Sequence, residues 1–255
     1  MKHLITLVFL LSGIAHAAIT EKCSNEIPFG IPTIKKNVVQ LCKTGYVSLY
    51  DAKAKIPALV TYVLEAEELS QCVDRDSSFT EDKELSLEQR SSTKDYRKSG
   101  YDMGHMANAA DFRWSPEAQQ DVALMSNMTP QLASLNRGFW KILEEETRDW
   151  AARSNIVIFT GPIYSKSSSM IGNGVIVPNA FFKILVDINR NELAAFKVDN
   201  KDQFANFDSS ISSVSEIQKL TGIKFNIPKN VIHRKTIWDR MSTDKTMKLC
   251  LIKKG

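Results

Sequence analysis

Tyr101-Asp102-Met103-Gly104-His105-Met106 is the stretch on which the reading of this chain turns, because histidine is scarce here. The 255 residues hold four histidines. His3 and His16 lie in an N-terminal segment with a basic start, Met1-Lys2-His3, an apolar run from Leu4 to Leu11 and a small-residue end, Ala15-His16-Ala17-Ala18. That order is the pattern of a cleaved export leader, and the run is too short to span a bilayer. Residues 1–17 are therefore expected to be removed, leaving 18–255 as one working domain. His105 and His233 then remain as the side chains that titrate near neutrality. Only His105 has a glycine-flanked, polar, turn-like setting that could hold it at a site.

A mature chain of roughly 240 residues is long enough for one domain with a sizeable core. The net charge of +4 comes from mixed signs and fits a nucleic-acid partner without demanding one. No later stretch is apolar for long enough to cross a membrane, so the expected location is periplasmic or secreted. Export makes disulfides the expected state of Cys23, Cys42, Cys72 and Cys250, with three connectivities open. The preferred pairing is Cys23–Cys42 with Cys72–Cys250. The first closes a short loop, an effect of about 3 kcal/mol in the chain-entropy picture. No C-x-x-C pair is present, which argues against a zinc knuckle.

Strands are predicted at Val38–Leu41, Gly45–Tyr50, Ile56–Leu64, Ile156–Thr160, Val175–Val177, Phe181–Val186 and Leu193–Val198, from β-branched and aromatic runs between turn residues. Residues 66–100 are polar and read as a surface excursion, the kind of segment that often carries function. Pro116–Met125 reads as a helix with Ser115 as its N-cap and Pro116 in the first turn. A longer helix is predicted from Asn136 to about Arg153, with Phe139, Trp140, Leu143, Thr147 and Trp150 on one apolar stripe. Ser209–Leu220 reads as a helix ending near Gly222. Strands and helices mix without a βαβ alternation, so the fold class is α+β. The tail from Thr236 stays ambiguous.

Taken singly, the polar residues near His105 have plain structural explanations. A loop histidine is more often a solvated one. Asn136 makes a good N-cap. Glu144 and Arg148 make an i, i+4 ion pair. Asn127 suits a turn before Thr129-Pro130, and Arg75 suits a solvated surface.

Taken together they say more. Ser99-Gly100-Tyr101-Asp102-Met103-Gly104-His105-Met106-Ala107-Asn108, then Met125-Ser126-Asn127-Met128-Thr129-Pro130-Gln131, then Leu135-Asn136-Arg137-Gly138-Phe139-Trp140 with Leu143-Glu144, resemble the DNA/RNA non-specific endonuclease family in order and spacing. The resemblance implies a central mixed or antiparallel sheet with flanking helices and a ββα-metal site. It implies His105 as the general base that activates water. It implies Asn136 as a direct ligand of Mg²⁺, with Mn²⁺ as a substitute, and Glu144 as a ligand through water. Arg75 and Arg148 match phosphate-steadying arginines, and Asn127 and Arg137 match substrate-binding positions. The implied substrates are DNA and RNA, cut to leave 5′-phosphates, by a chain acting as a monomer or a homodimer and without a membrane.

Two positions depart from the family pattern. Met103 stands where the motif carries arginine, so a cation is missing there or is supplied by Arg75, Arg113 or Arg137. Asn108 stands where a proline is usual. One geometric tension also arises, since eight residues of regular helix would separate Asn136 from Glu144 by about 12 Å. Among rivals, a serine or zinc hydrolase lacks its G-x-S-x-G or H-E-x-x-H signature here. An exported nucleic-acid-binding protein of the same fold, with catalysis lost at Met103, is the remaining alternative.

Overall fold

The structure, a computed structural model, describes residues 23–202 and 206–234. In chain order the strands are β1 Thr33–Ile34, β2 Val39–Lys43, β3 Tyr46–Asp51, β4 Ile56–Leu64, β5 Tyr101–His105, β6 Met128–Leu132, β7 Ile156–Ile163, β8 Met170–Ile171, β9 Val175–Ile176, β10 Ala180–Asp187, β11 Glu192–Asp199, β12 Ile223–Lys224 and β13 Ile232–His233. The helices are α1 Ala66–Leu69, α2 Thr93–Tyr96, α3 Pro116–Val122, α4 Trp140–Ala151, α5 Phe207–Ser210 and α6 Val214–Thr221. Seven strands form the central sheet in the order β13-β11-β10-β7-β4-β3-β2. Neighbours run antiparallel except the parallel pair β11–β13, so the sheet is mixed and the domain α+β.

Both faces of this sheet are covered, and strand alternation divides the residues between them. Tyr62, Ile158, Phe181, Leu185 and Phe196 point to one side, where Trp140, Leu143 and Trp150 of α4 pack on them. Leu59, Phe159, Phe182, Ile184 and Ala195 point to the other, against Ile217 of α6, Ile223 and Phe225. The stripe predicted on α4 is buried as expected, with Trp140 and Leu143 almost fully enclosed. Every residue of β10 is buried, because a strand in mid-sheet with both faces covered has no wet side.

Local chemistry sets the helix ends. Ser115 Oγ accepts from the N–H groups of Glu117 and Ala118 at 3.1 and 3.3 Å, capping α3 as predicted. The predicted helix over Ser209–Leu220 is two pieces. Ile211 takes an extended conformation and bridges Phe196, so α5 ends and α6 restarts behind a new cap, Ser213. Gly222, at φ 72°, then stops α6.

Cys23 and Cys42 are bonded, as preferred from the sequence. Cys72 is also disulfide-bonded. Its expected partner Cys250, the expected leader at residues 1–17 and the ambiguous tail from Thr236 lie outside the described residues. No described helix is long and apolar enough to cross a membrane.

Candidate active site

The stretch around His105 is not a turn. It is strand β5, paired antiparallel with β6 in a separate two-stranded ribbon, with Asp102 opposite Gln131, Gly104 opposite Thr129 and His105 opposite Met128. The glycine is required for space: a β-carbon at Gly104 would lie 2.8 Å from the Cβ of Gln131 and still closer to its amide oxygen. Thr129 donates its hydroxyl to the Gly104 carbonyl at 3.2 Å, tying the ribbon together beside the histidine.

Asn127 fixes the backbone just past His105. Its carboxamide oxygen accepts from Ala107 N–H at 2.8 Å, and its nitrogen donates to the carbonyls of Ala107 and Val122, both at 2.9 Å. It is fully buried and does not line the cleft. Of the two residues matched to substrate-binding positions, Arg137 lines the cleft and Asn127 does not. All of its amide hydrogen bonds are used on backbone, so it shapes the site from behind.

The third block also differs from its sequence reading. Leu135–Phe139 is a widened, π-type turn, kinked at Gly138 (φ −103°, ψ −116°), and the regular helix α4 begins only at Trp140. Asn136 therefore is not an N-cap. The expected separation along one straight helix does not apply, because Asn136 precedes the helix that carries Glu144. Its Nδ2 donates to Asp102 Oδ2 at 2.9 Å. A carboxylate can only accept, so this bond turns the amide nitrogen toward Asp102 and leaves the amide oxygen for the cleft. Arg137 donates to both oxygens of the same carboxylate, Nε at 2.8 Å and Nη2 at 2.7 Å. These bonds, Arg137's first, hold Asp102 below the usual carboxylate range although partial burial opposes them. Asp102 thus serves Asn136 and Arg137, not the imidazole.

His105, Arg75, Asn136, Arg137, Glu144 and Arg148 line one cleft of about 580 Å³. Of the sequence-assigned residues, only Asn127 stands outside it. His105 is half-buried, with the Phe79 ring 5.5 Å away between centroids. Burial, then the charge of Arg75, push the imidazole down to about 3, so the ring is neutral at neutral pH. Met103 lines the same wall and packs with Phe79 in an apolar cluster. Of the cations proposed to replace the motif arginine, Arg75 and Arg137 reach the cleft. Arg113 instead donates to the Val73 carbonyl at 2.8 Å and does not line it.

The cleft floor is a buried layer of charge. Burial pushes Glu144 up to about 7; Lys183 and Arg148 pull it down, Asp111 pushes it up, and an Asn108 hydrogen bond favours its charged form. The ion pair expected between Glu144 and Arg148 gives way to one between Arg148 and Asp111 at 3.0 Å. Asp111 also accepts from the Tyr62 hydroxyl at 2.7 Å. Beneath this layer Lys183 of β10 is fully buried, its Nζ 4.9 Å from the centre of the Trp140 ring. Burial lowers its pKa, while Glu144 and Asp111 oppose that loss. Sequence reasoning missed Asp102's service to Asn136, the Asn108 bond and Lys183. The signal for Lys183 was a cation in the middle of an otherwise continuous apolar run. His233 sits exposed on β13 and does not line the cleft.

The donor set facing the cleft suits a hard cation that keeps most of its water. It offers the carboxamide oxygen of Asn136 and the carboxylate of Glu144, and no cluster of three His, Cys, Asp or Glu occurs among the described residues. Magnesium is held this way, by few protein oxygens and several waters.

The strand that carries His105, its antiparallel partner and the helix that follows make a ββα unit set against a mixed sheet, and that arrangement defines the structural class. The chain belongs to the DNA/RNA non-specific endonuclease family, whose model matches residues 25–231. It is 30% identical to human mitochondrial endonuclease G over 72% of this chain and 68% of that protein. It is also 30% identical to a nuclease of Syncephalastrum racemosum, over 85% of this chain and 76% of the other. Among solved structures, the EndoG/EndoGI complex contains a chain that superposes with a TM-score of 0.76 at 25% identity, covering 84% of this chain and 96% of that one.

Proposed function

We propose that the protein is an exported, Mg²⁺-dependent endonuclease that hydrolyses phosphodiester bonds in DNA and RNA and leaves 5′-phosphate ends. The observation that supports this most is the meeting of His105, Asn136 and Glu144 around one cleft walled by Arg75, Arg137 and Arg148. The neutral imidazole of His105 accepts a proton from water as the water oxygen attacks phosphorus and the bond to the 3′-oxygen breaks. Its low proton affinity follows from burial first and then from the charge of Arg75. A phosphate anion engaging Arg75 offsets that charge and makes the ring a stronger base when substrate arrives. Asn136 and Glu144 would hold the divalent cation, Asn136 directly and Glu144 through its water shell. When bound, that cation supplies positive charge against the phosphate and the departing oxygen. Arg148, held by Asp111, and Arg137, held by Asp102, present guanidinium groups to the polyanion. Manganese is expected to substitute. Export is supported by the leader pattern and by the Cys23–Cys42 bond, which belongs to an oxidising compartment.

The test is plasmid nicking with Mg²⁺, repeated with excess chelator. The parent should nick only with the metal. His105→Ala should lose about 10³-fold or more of that activity with its thermal midpoint unchanged. Nicking by His105→Ala at the parent rate defeats the assignment, and DNA binding with no nicking by the parent favours the binding-protein alternative.

A further inference from the structure

A second cleft, of about 440 Å³, lies beyond the catalytic one and carries lysines where the first carries arginines. Its rim holds Lys36, Lys53 and Lys166, and its wall includes Tyr164 and Asp51. Asp51 carries the opposite charge but is spent internally. It is buried, accepts from the N–H groups of Lys53 and Ala54, both at 3.1 Å, and from the Tyr164 hydroxyl at 2.8 Å. Lys36 closes that arrangement, its Nζ 3.8 Å from Asp51 and 3.6 Å from the centre of the Tyr164 ring. Lys53 and Lys166 are exposed and make no side-chain ion pair among the described residues. The groove therefore offers net positive charge outward over a mainly apolar floor.

The two clefts share a wall. Met103 and Phe79 line the catalytic cleft, Tyr164, Ala54 and Ile176 line the lysine groove, and all five belong to one apolar cluster. A small ligand would occupy one cleft or the other. A chain of phosphates leaving the catalytic cleft over this ridge meets the lysines next.

We propose that the groove of Lys36, Lys53 and Lys166 is a second contact for the phosphate backbone of a long nucleic acid, one that grips the polymer away from the bond being cut. This rests on the reading of the protein as a nuclease and adds how a long substrate is held. Backbone contacts of this kind add affinity without sequence preference and are lost with salt. Lys53 and Lys166 supply the contacts, and Lys36 holds the wall.

The test uses the full chain and the double variant Lys53→Glu/Lys166→Glu. Binding to long duplex DNA is measured in excess chelator across a range of salt, and turnover of a small chromogenic phosphodiester is measured with Mg²⁺. Two lost phosphate contacts should lower the slope of log affinity against log salt by about 1.8. Affinity at moderate salt should fall about tenfold or more, and turnover of the small substrate should match the parent. Lys53→Gln/Lys166→Gln, which removes charge without reversing it, should show the same change of slope with a smaller loss of affinity and guards against misfolding of the first variant. Unchanged affinity and slope in both variants overturns the proposal. Failure of the parent to turn over either substrate counts against the nuclease reading instead, and the chelated binding measurement still decides the groove.

Discussion

The two faces of the central sheet are built from the same strands and stabilised differently. On one face Phe159, Phe182, Ile184 and Phe225 pack together, with Phe182 and Phe225 edge-on at 5.9 Å between centroids. On the other, neighbouring positions of the same strands place Tyr62 and Lys183 under Asp111, Glu144 and Arg148. Burying charges costs several kcal/mol per ion, and their attraction only partly repays it. The apolar face is what a sheet does to fold. The charged face is where stability is given up to hold carboxylate and guanidinium groups at the cleft floor.

The comparison breaks or sharpens under substitution. The largest effect is expected on the apolar face: Phe182→Ala should cost about 3–5 kcal/mol in denaturant unfolding, while cleavage per folded molecule stays at the parent level. A rate loss there would mean that the faces are not independent. Asn127→Ala should come next, destabilising by about 2–3 kcal/mol because Ala107 and Val122 lose their partners in a buried place. Lys183→Met should differ from both, joining a loss of stability, because Glu144 and Asp111 lose a buried cation beside them, to a fall in cleavage of about tenfold or more, as expected when a supporting partner of a site residue is lost. Destabilisation with normal cleavage would make Lys183 a structural residue only.

The smallest effect concerns acid. Lys43, which shares its face with Tyr46 on the site side, pairs with Asp82 at 2.8 Å with both side chains buried. Burial opposes the charge on Asp82, but hydrogen bonds from Lys43 and Ser126 outweigh it and hold its pKa below the ordinary value. A depressed carboxylate stabilises the fold above its unfolded pKa, near 3.9, and the contribution is lost as pH falls through the lower folded value. Below about pH 4 this contribution should therefore drop out of the denaturation midpoint. In Asp82→Asn that drop should be shallower.

The sequence was informative where a residue's surroundings depend on near neighbours. Ile56–Leu64 is a strand over the very residues predicted, because a β-branched run between turn residues needs no distant information. The Tyr101–His105 strand was hidden, since Met103-Gly104 carries no alternation and its partner contains Pro130. Only the pairing shows that Gly104 is there to clear Gln131. Arg75, His105, Asn136, Arg137, Glu144 and Arg148 were legible as a set through the order and spacing of three blocks, and they do line one cleft. Asn127 stands apart from that set, buried behind the cleft, because motif membership does not separate a residue that faces a cleft from one that fixes the backbone. Lys183 was missed because one cation in a strand usually marks a wet face, and β10 has none.

The Cys23–Cys42 bond lies at the border of the sheet. Cys42 is on β2, whose only partner strand among the described residues is β3, and Cys23 packs with Ile27 and Val47 beside it. An outermost strand with unused backbone groups is a template for self-association. The covalent tie anchors Cys23 and the residues packed beside it to this outermost strand. Handling the protein in thiol reductants should therefore bring turbidity before it brings loss of the cleft around His105.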